Sequence, residues 1–391
     1  MRFLTLLLMG GMLLLSACGE EHSDPTFSFT RTSTLDSRSN GEVSAVLEFE
    51  PDLAIRYELV AGDGRACVYG ARTGLKGPGY LSCWGRRIDP KYKGKVGHNV
   101  NGSNKMLSIG ADHLCSTLST GDRRVHCDGS NSHGQNTDPQ PLDLEDPKTG
   151  HWLSSPNVIS SGNRHNCALD LFGVYCWGDN SQGQTNVPVL QDPKWVASGG
   201  DVSCAIDANN QLICWGDASF GQLAIPDDVN LVERIAVGAK YVCATSSGQV
   251  KCWGDTESWN ALPQVYSNVV HISAGENHVC VLDEIQTEPQ VMNSHCFGED
   301  NEDQSLLSVP AEINLKVRTI SAGSGFTCAT NNYFGYEWYD EDEDGQYAIE
   351  EHLGVLCWGK NDEGQAKAPS ELCLGYHGTE ASLNDRVCFK Y

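Results

Sequence analysis

The chain has few basic residues, and this scarcity limits the partners that it can bind. Its 391 residues include 27 Lys and Arg against 51 Asp and Glu, so the formal net charge is −24 at pH 7. Because nucleic-acid binding depends on clustered Lys and Arg side chains, this balance argues against a nucleic-acid partner. Cationic surfaces and divalent metal ions are more natural companions of so acidic a chain.

Familiar catalytic and cofactor motifs are also missing. The sequence has no His-Glu-x-x-His zinc motif, no Gly-x-Ser-x-Gly elbow and no phosphate-binding P-loop. It also lacks the Cys-x2-4-Cys knuckles that a structural zinc site needs. We therefore predict a protein that is not an enzyme and has no organic cofactor. A hydrolase or lyase site assembled from distant parts of the chain stays open as an alternative.

No apolar run is long enough for a comfortable membrane span, but a short one stands at the start. "MR" precedes the run 3–15, a pattern typical of an export signal. The run ends in "LSAC", which resembles the bacterial lipoprotein signal. We therefore predict a signal peptide at 1–17 and lipidation of Cys18. An ordinary secretory signal with an incidental cysteine is the alternative.

The residues after Cys18 predict where such a lipoprotein resides. Gly19 stands where an aspartate would favour the inner membrane, so the resemblance implies the outer membrane, facing the periplasm or the cell surface. The polar, Ser- and Thr-rich segment 18–45 suits a lipidated flexible tether. Contact with the membrane would then be through the lipid anchor only.

The 17 cysteines form an odd set in which one has a separate role. Without Cys18, sixteen remain in consecutive pairs, and export to an oxidising compartment favours disulfides. A spacing of nine or ten residues suits opposed positions on a hairpin, and each short loop closed should add roughly 2–3 kcal/mol. The predicted pairs are Cys67 and Cys83, Cys115 and Cys127, Cys167 and Cys176, Cys204 and Cys214, Cys243 and Cys252, Cys280 and Cys296, Cys328 and Cys357, and Cys373 and Cys388.

A repeat organises most of the chain. A glycine stands five residues before the first cysteine of seven pairs, at Gly62, Gly110, Gly162, Gly199, Gly238, Gly275 and Gly323. The second cysteine is usually followed by an aromatic residue and Gly, then by a polar turn ending in Gly-Gln. Short β-prone runs separated by turn signals, at a period of roughly 40 residues, indicate an all-β, seven-bladed β-propeller with one disulfide per blade.

The stretch "ISSGNRHNCALDLFGVYCWGDNSQGQ", 159–184, resembles the repeat of the regulator-of-chromosome-condensation family. The resemblance covers about 50–370 in seven copies and implies a seven-bladed propeller. The repeat Trp is expected to pack between blades. His113, His165 and His278 each stand three residues after their Gly, and we expect imidazoles that stabilise the turn rather than metal ligands.

An insertion in the seventh copy matches a calcium-loop template. Between Cys328 and Cys357, "DEDEDGQYAIEE" fits D-x-D-x-D-G-x5-E. The predicted ligands are Asp340, Asp342, Asp344, Gln346 through its backbone carbonyl, and Glu351. A solvated acidic hairpin tip without a metal is the alternative.

The predicted organisation is a signal peptide at 1–17, a tether at 18–45, a propeller at 46–370 and a disulfide-closed tail at 371–391. The predicted function is an envelope-anchored, non-catalytic protein-interaction module that is monomeric and binds an extracellular or periplasmic protein. One alternative is an inhibitor or cap of a secreted enzyme. The other is the hydrolase or lyase with its site in the propeller channel.

Overall fold

The computed structural model divides the chain into two compact units. The first contains residues 1–56 and 72–75, and the second contains 57–71 and 76–391. In the first unit, β1 (Arg2–Phe3) pairs with β2 (Cys18–Gly19). The structure describes residues 2–3, 18–19, 55–72, 78–86, 96–99, 107–116, 125–137, 156–257, 259, 268–284, 292–299, 306–311, 317–333, 352–368, 371–376 and 386–390.

Seven antiparallel sheets follow one another along the second unit, and we call them blades 1 to 7 in chain order. Blade 1 has four strands, β3 (Ile55–Ala61), β4 (Arg65–Arg72), β5 (Pro78–Gly85) and β6 (Val96–Asn99). The other six have three strands each: β7 (Leu107–Ile109), β8 (His113–Ser116), β9 (His126–Gly129); β10 (Val158–Ser161), β11 (His165–Leu169), β12 (Val174–Gly178); β13 (Trp195–Gly199), β14 (Val202–Ile206), β15 (Leu212–Gly216); β16 (Val232–Val237), β17 (Tyr241–Ser246), β18 (Gln249–Gly254); β19 (Val269–Ala274), β20 (His278–Glu284), β21 (Met292–Gly298); β22 (Val317–Ala322), β23 (Phe326–Tyr333), β24 (His352–Gly359).

This arrangement confirms the all-β, seven-bladed prediction, and among the described residues only blade 1 has a fourth strand. The described part of the chain contains no helix that is long and apolar enough to cross a membrane. A tight turn is present where β17 meets β18. Ser246 pairs with Gln249, and the two residues between them, Ser247 and Gly248, have φ values of 52° and 74°. Two left-handed residues form the tight hairpin turn that matches the twist of the strands.

The core lies between the blades. The described side chains include seven clusters of buried apolar residues, and each cluster joins residues of two neighbouring blades. The middle strand of a blade is covered on both faces, so β11 and β14 are buried along their whole length. A single blade could not cover both faces, which is why stacking neighbours is the source of stability.

Blade 7 closes the ring by packing against blade 1. Leu59 and Trp84 of blade 1 share a cluster with Phe326 of blade 7. The backbone N–H of Ala61 donates to Ser321 Oγ at 2.8 Å, and the N–H of Ser324 donates to the Gly62 carbonyl at 3.1 Å. No described strand is exchanged between these two sheets. Side-chain packing and these hydrogen bonds therefore hold the closure.

Each blade carries one disulfide between its second and third strands, as predicted. In blade 3, Cys167 lies directly opposite Cys176 in the strand register. The Cα atoms of the seven pairs are 4.0–4.1 Å apart, as expected for opposed residues of antiparallel strands. In the tail, β25 (Glu371–Tyr376) pairs with β26 (Arg386–Lys390), and Cys373 is opposite Cys388. Their side chains lie outside the described residues, so the eighth disulfide stays a prediction.

Candidate partner-binding surface

Tryptophan side chains connect neighbouring blades, which confirms that the repeat Trp packs between blades. Each indole N–H donates to a backbone carbonyl in the turn that ends the preceding blade. Both groups are buried in most of these contacts, so each leaves no polar atom unsatisfied. The pairs are Trp84 with Gln365 at 3.0 Å, Trp177 with Gln135 at 3.3 Å, Trp215 with Gln184 at 2.9 Å, Trp253 with Gln222 at 2.8 Å, and Trp358 with Leu306 at 2.9 Å. Blades 2 and 6 have Asp128 and Phe297 at this position.

The repeat histidines form a second link between blades. The predicted role in their own turn is only partly right, because each imidazole Nε2 bonds to a side chain of the next blade. The pairs are His113 with Asn166 Oδ1 at 2.7 Å, His165 with Ser203 Oγ at 2.9 Å, and His278 with Thr327 Oγ1 at 2.7 Å. The preceding glycine makes room for the ring, since a Cβ on Gly162 would lie 2.2 Å from His165 Cε1.

Burial keeps these imidazoles neutral. It lowers the pKa of His165 and of His278 to about 4, because a charged ring would lose its hydration. Within the described residues, no group of three or more His, Cys, Asp or Glu is arranged to hold a metal ion. The histidines are buried and bonded to the next blade, so they belong to the scaffold.

The ring presents two distinct ends. Turns between first and second strands of neighbouring blades hydrogen-bond to one another, as when Asn163 N donates to the Gly200 carbonyl at 2.8 Å. The blades therefore point the same way, and we call this side the turn end. Because the strands are antiparallel, the connections between second and third strands all lie at the opposite side, the hairpin end.

Exposed large apolar side chains concentrate at the hairpin end of blades 3 to 5. Leu171 is 78% exposed, Val189 94% and Leu231 60%. With Phe172 and Trp195 they define the interaction surface. A sixth such side chain, Phe220, lies at the turn end, where Lys240 Nζ is 4.7 Å from its ring centroid. Scattered exposed apolar residues are ordinary, but a group of five on adjoining elements is typical of a contact site.

Hydrogen bonds connect the parts of the interaction surface. The N–H of Ala208, in the blade 4 hairpin, donates to the Gln191 carbonyl at 3.0 Å. Lys194 Nζ donates to Asn210 Oδ1 at 3.0 Å, and the N–H of Val232 donates to the Asn210 carbonyl at 2.8 Å. The segments that carry Val189, Trp195 and Leu231 therefore meet around one hairpin.

The blade 3 hairpin holds two apolar side chains at its tip. Asp170 Oδ1 accepts the N–H of Phe172 at 2.8 Å and that of Gly173 at 3.2 Å. This local turn fixes the backbone without using the Leu171 and Phe172 side chains. Both side chains remain exposed to solvent at 78% and 51%.

A cleft of about 610 Å³ lies beside this tip. Its lining includes the apolar side chains of Leu171, Phe172, Val187, Pro188, Leu190 and Pro193. Asp170, Asp192 and Lys194 add polar groups. Polar atoms contribute more of the exposed surface of the cleft than apolar atoms do.

Unusual backbone conformations occur on the same surface. Four described non-glycine residues have positive φ, and three are Asp192 at 42°, Asn210 at 61° and Leu231 at 49°. A branched apolar residue is rarely found in this region, because its side chain crowds the backbone there. Such conformations tend to occur at functional sites. Leu231 has both this unusual backbone conformation and an exposed side chain.

The turn end has a different electrostatic character. Asp201 lies near Asp179 and Asp217 on blades 3 and 4. Its partial burial, and then the repulsion from those two carboxylates, raise the pKa of Asp201. Cations are also present, since Arg86 pairs with Asp63 at 2.8 Å and Lys240 with Asp255 at 3.8 Å.

Two sets of predicted site residues have side chains that the structure does not describe. The calcium-loop residues Asp340, Asp342, Asp344, Gln346 and Glu351 lie outside the described residues. The strands that flank the loop, β23 and β24, pair as far as Tyr333 and His352. Cys18 belongs to β2 in the first unit, and its side chain is outside the described set.

The interaction surface was not predicted from the sequence, although an apolar pair in one hairpin was a visible sign of it. The blade 3 hairpin carries Leu171 and Phe172 where blade 4 has Asn209 and Asn210. A polar residue is expected at a solvent-exposed hairpin tip, so an apolar pair there departs from the pattern of the repeat.

Comparisons with known proteins agree with the fold. The profile of the Regulator of chromosome condensation (RCC1) repeat matches residues 158–184 and 196–222. The CRINKLY WD40 ectodomain of the Arabidopsis thaliana receptor kinase ACR4 is 20% identical over 77% of this chain and 93% of that chain, with a TM-score of 0.52. The entire ectodomain of the Physcomitrella patens receptor kinase CR4 is 20% identical over 86% and 88%, with a TM-score of 0.54.

Human WBSCR16 is 17% identical over 75% of this chain and 91% of that chain, with a TM-score of 0.46. No curated protein sequence matches the chain. Identities this low describe the fold alone. The chain folds as an RCC1-like β-propeller with one disulfide in each blade.

Proposed function

We propose that the protein is an envelope-anchored, non-catalytic interaction module that binds another protein through the hairpin end of blades 3 to 5. The observation that carries this proposal is the interaction surface, in which five exposed apolar side chains share one end of the ring and two of them, Leu171 and Phe172, line a cleft. An ordered propeller scaffold positions these side chains before any partner arrives, which lowers the entropy lost on binding.

The anchoring part of the proposal depends on the sequence. The "LSAC" stretch and the polar segment 18–45 support a lipid on Cys18 and a tether that carries the propeller at the outer membrane. The two plant propellers named above are ectodomains of receptor kinases, which is consistent with display of this fold outside a membrane. Replacement of Cys18 by Ser should release the protein from the membrane fraction.

Capture of partners from the organism's own envelope and culture fluid tests the interaction. The bait is the full chain with its disulfides intact, compared with the double variant Leu171→Ser, Phe172→Ser. The matched control is Phe220→Ser, because Phe220 is also exposed but lies at the turn end. We expect one protein to be retained by the wild type and by the control but lost with the double variant.

Equal capture by all three baits would contradict the assignment of the surface. If the captured protein is an enzyme that loses activity when bound, the module acts as its inhibitor or cap. If instead a small substrate is converted by the chain itself, the non-catalytic proposal is wrong.

The acidic insertion is proposed to bind calcium and to organise its own segment of blade 7. Four carboxylates and one backbone carbonyl in template order support this proposal. Calorimetry should record calcium binding by the full chain and none by the Asp340→Ala, Asp344→Ala variant. Equal heats from both proteins would overturn it.

A further inference from the structure

The outer edge of blade 4 presents backbone groups that face away from the blade. Strand β15 is the outermost strand, and its Cys214 lies opposite Cys204 of β14 with the two Cα atoms 4.0 Å apart. So short a separation is typical of a pair that exchanges no backbone hydrogen bonds, so the N–H and C=O of Cys214 point outward. Leu212 points the same way, because the alternation continues from the bond between Asp207 N–H and the Gln211 carbonyl at 3.0 Å.

This edge also lacks the features that usually protect an edge strand. Within the described part of the chain, the outward backbone groups of Leu212 and Cys214 have no hydrogen-bond partner. Proteins commonly protect such edges with a charged residue, a proline or a bulge. The strand "LICWG" has no charge or proline, and its register with β14 is regular. By contrast, the edge strands of blades 5 and 6 carry Lys251 and His295.

Blade 1 shows that this type of edge accepts a further strand. Its β5 contains Cys83, opposed to a cysteine of the middle strand as in blade 4, and its outer edge pairs with β6. The pairing extends from Pro78 with Asn99 to Leu81 with Val96. A fourth strand is therefore compatible with the geometry of these blades.

From this geometry we infer that an extended segment of the partner protein binds as the fourth strand of blade 4, through main-chain hydrogen bonds to β15. The inference rests on the proposed function, because β15 begins directly after the hairpin around which the segments of Val189, Trp195 and Leu231 meet. The edge is therefore continuous with the interaction surface. The segments that flank blade 4 are described in full, whereas 138–155, which leads into blade 3, lies outside the described residues.

The composition of β15 indicates what such a segment contains. Leu212, Ile213 and Cys214 are all half-buried, so the added strand would lie beside apolar side chains on both faces. Alternating β-branched residues suit such neighbours. In strand addition the main chain supplies the shared hydrogen bonds, and alternate side chains add selectivity.

Two peptides with identical side chains test the role of the main chain. The first is a fluorescein-labelled peptide of seven residues with alternating Thr and Val. The second has a methyl group on every backbone nitrogen and therefore has no N–H donors. Fluorescence anisotropy with the oxidised full chain should show the first peptide binding on the order of tenfold more tightly. Equal affinities, including no binding by either peptide, would overturn the inference.

Hydrogen exchange followed by NMR locates the bound peptide on the wild-type chain. In the free chain the amide protons of Leu212 and Cys214 should exchange quickly and that of Ile213 slowly, because only the last faces β14. The first peptide should slow exchange at Leu212 and Cys214 by about tenfold. Val250 is the matched control, because it occupies the place of Leu212 in blade 5. Protection in β12 or β18 without protection in β15 would overturn the inference.

A proline variant then connects the edge to the natural partner. Leu212→Pro removes an outward N–H and no bond to β14, so the edge strand should tolerate it, and urea unfolding checks that it does. We expect this variant to lose envelope capture and to bind the first peptide about tenfold more weakly, whereas Val250→Pro should behave like the wild type. If capture depends on Leu171 and Phe172 but is unchanged in Leu212→Pro, the proposed function stands and strand addition is wrong.

Sedimentation of the full chain alone tests the other possible occupant of the edge. We expect a monomer at every concentration. A dimer that Leu212→Pro abolishes would show that a second copy of the chain pairs with β15, and would overturn the assignment to a partner protein.

Discussion

The residue three positions after each turn glycine links its blade to the next one, and side chains of different chemistry perform this task. His165 and His278 bond to hydroxyl groups, whereas Tyr241 donates its hydroxyl proton to the backbone of blade 6, with Oη 3.1 Å from the Gly275 carbonyl. Phe326 fills the position by packing alone. The contact with the next blade therefore recurs in these copies, but the chemistry that makes it differs.

The buried histidines predict a loss of stability in acid. The folded chain keeps His278 neutral down to its pKa of about 4, whereas the unfolded chain takes up a proton near 6.5. The contribution of neutral His278 is complete above pH 6.5 and is lost as the pH falls from 6.5 to 4. Over this range the wild type should lose about 3 kcal/mol relative to His278→Gln.

Urea unfolding of the disulfide-intact proteins at several pH values measures this difference. The difference in the free energy of unfolding between the wild type and His165→Gln should also fall between pH 6.5 and pH 4, because burial lowers the pKa of His165 to the same value of about 4. A wild-type-minus-variant difference that stays constant between pH 7 and pH 4 would show that the imidazole is not held neutral.

The contact between a tryptophan and the turn of the preceding blade is the recurring link between elements. The interface between blades 1 and 2 lacks it, because Asp128 replaces the aromatic residue. There Arg65 Nη2 donates to the Ala111 carbonyl at 3.0 Å instead. At the other exception, Phe297 packs on Trp259, whose ring centroid is 4.5 Å from that of Tyr241. Five of the seven interfaces therefore share the tryptophan hydrogen bond, and the other two are stabilised by different contacts.

Removing one indole donor should destabilise the ring by a predictable amount. In Trp215→Phe, the N–H to the Gln184 carbonyl and part of a buried side chain are lost, so we expect the free energy of unfolding to fall by about 2 kcal/mol. Trp195→Phe is the matched control, because Trp195 is 40% exposed and should change stability by less than about 0.5 kcal/mol. If urea unfolding shows an equal loss in the free energy of unfolding for both variants, the stabilising role of the Trp215 hydrogen bond would be contradicted.

Much of the element order was predictable because the repeat residues have direct structural roles. Gly178 has a φ of 105° and its added Cβ would lie 2.5 Å from the Arg164 carbonyl, so glycine is required after the repeat Trp. The opposed cysteines likewise identify two neighbouring strands. The acceptor of the tryptophan N–H was not predictable, because it is a backbone carbonyl and any residue supplies one.

The interaction surface was harder to predict because it depends on which elements meet in space. Leu231 and Leu171 are 60 residues apart in the sequence, and only the stacking of blades 3 to 5 brings their segments to one end. The exposed state of Val189 is also a product of tertiary packing, since an isolated apolar residue in sequence is more often buried.

For the molecule as a whole, ring closure and surface charge have separate consequences. Closure between blades 7 and 1 fixes the relative positions of the hairpins that carry the interaction surface. The net charge of −24 makes copies of the chain repel one another at long range. Stability and binding are therefore determined by different residues, which allows each to be tested without disturbing the other.

Hydrogen–deuterium exchange of the intact chain, alone and with its captured partner, tests the interaction account most directly. We expect binding to slow exchange in segments 170–173, 188–195 and 230–233, and to leave exchange around Phe220 at the turn end unchanged. Protection confined to the turn end, with those three segments unaffected, would contradict the assignment of the binding surface.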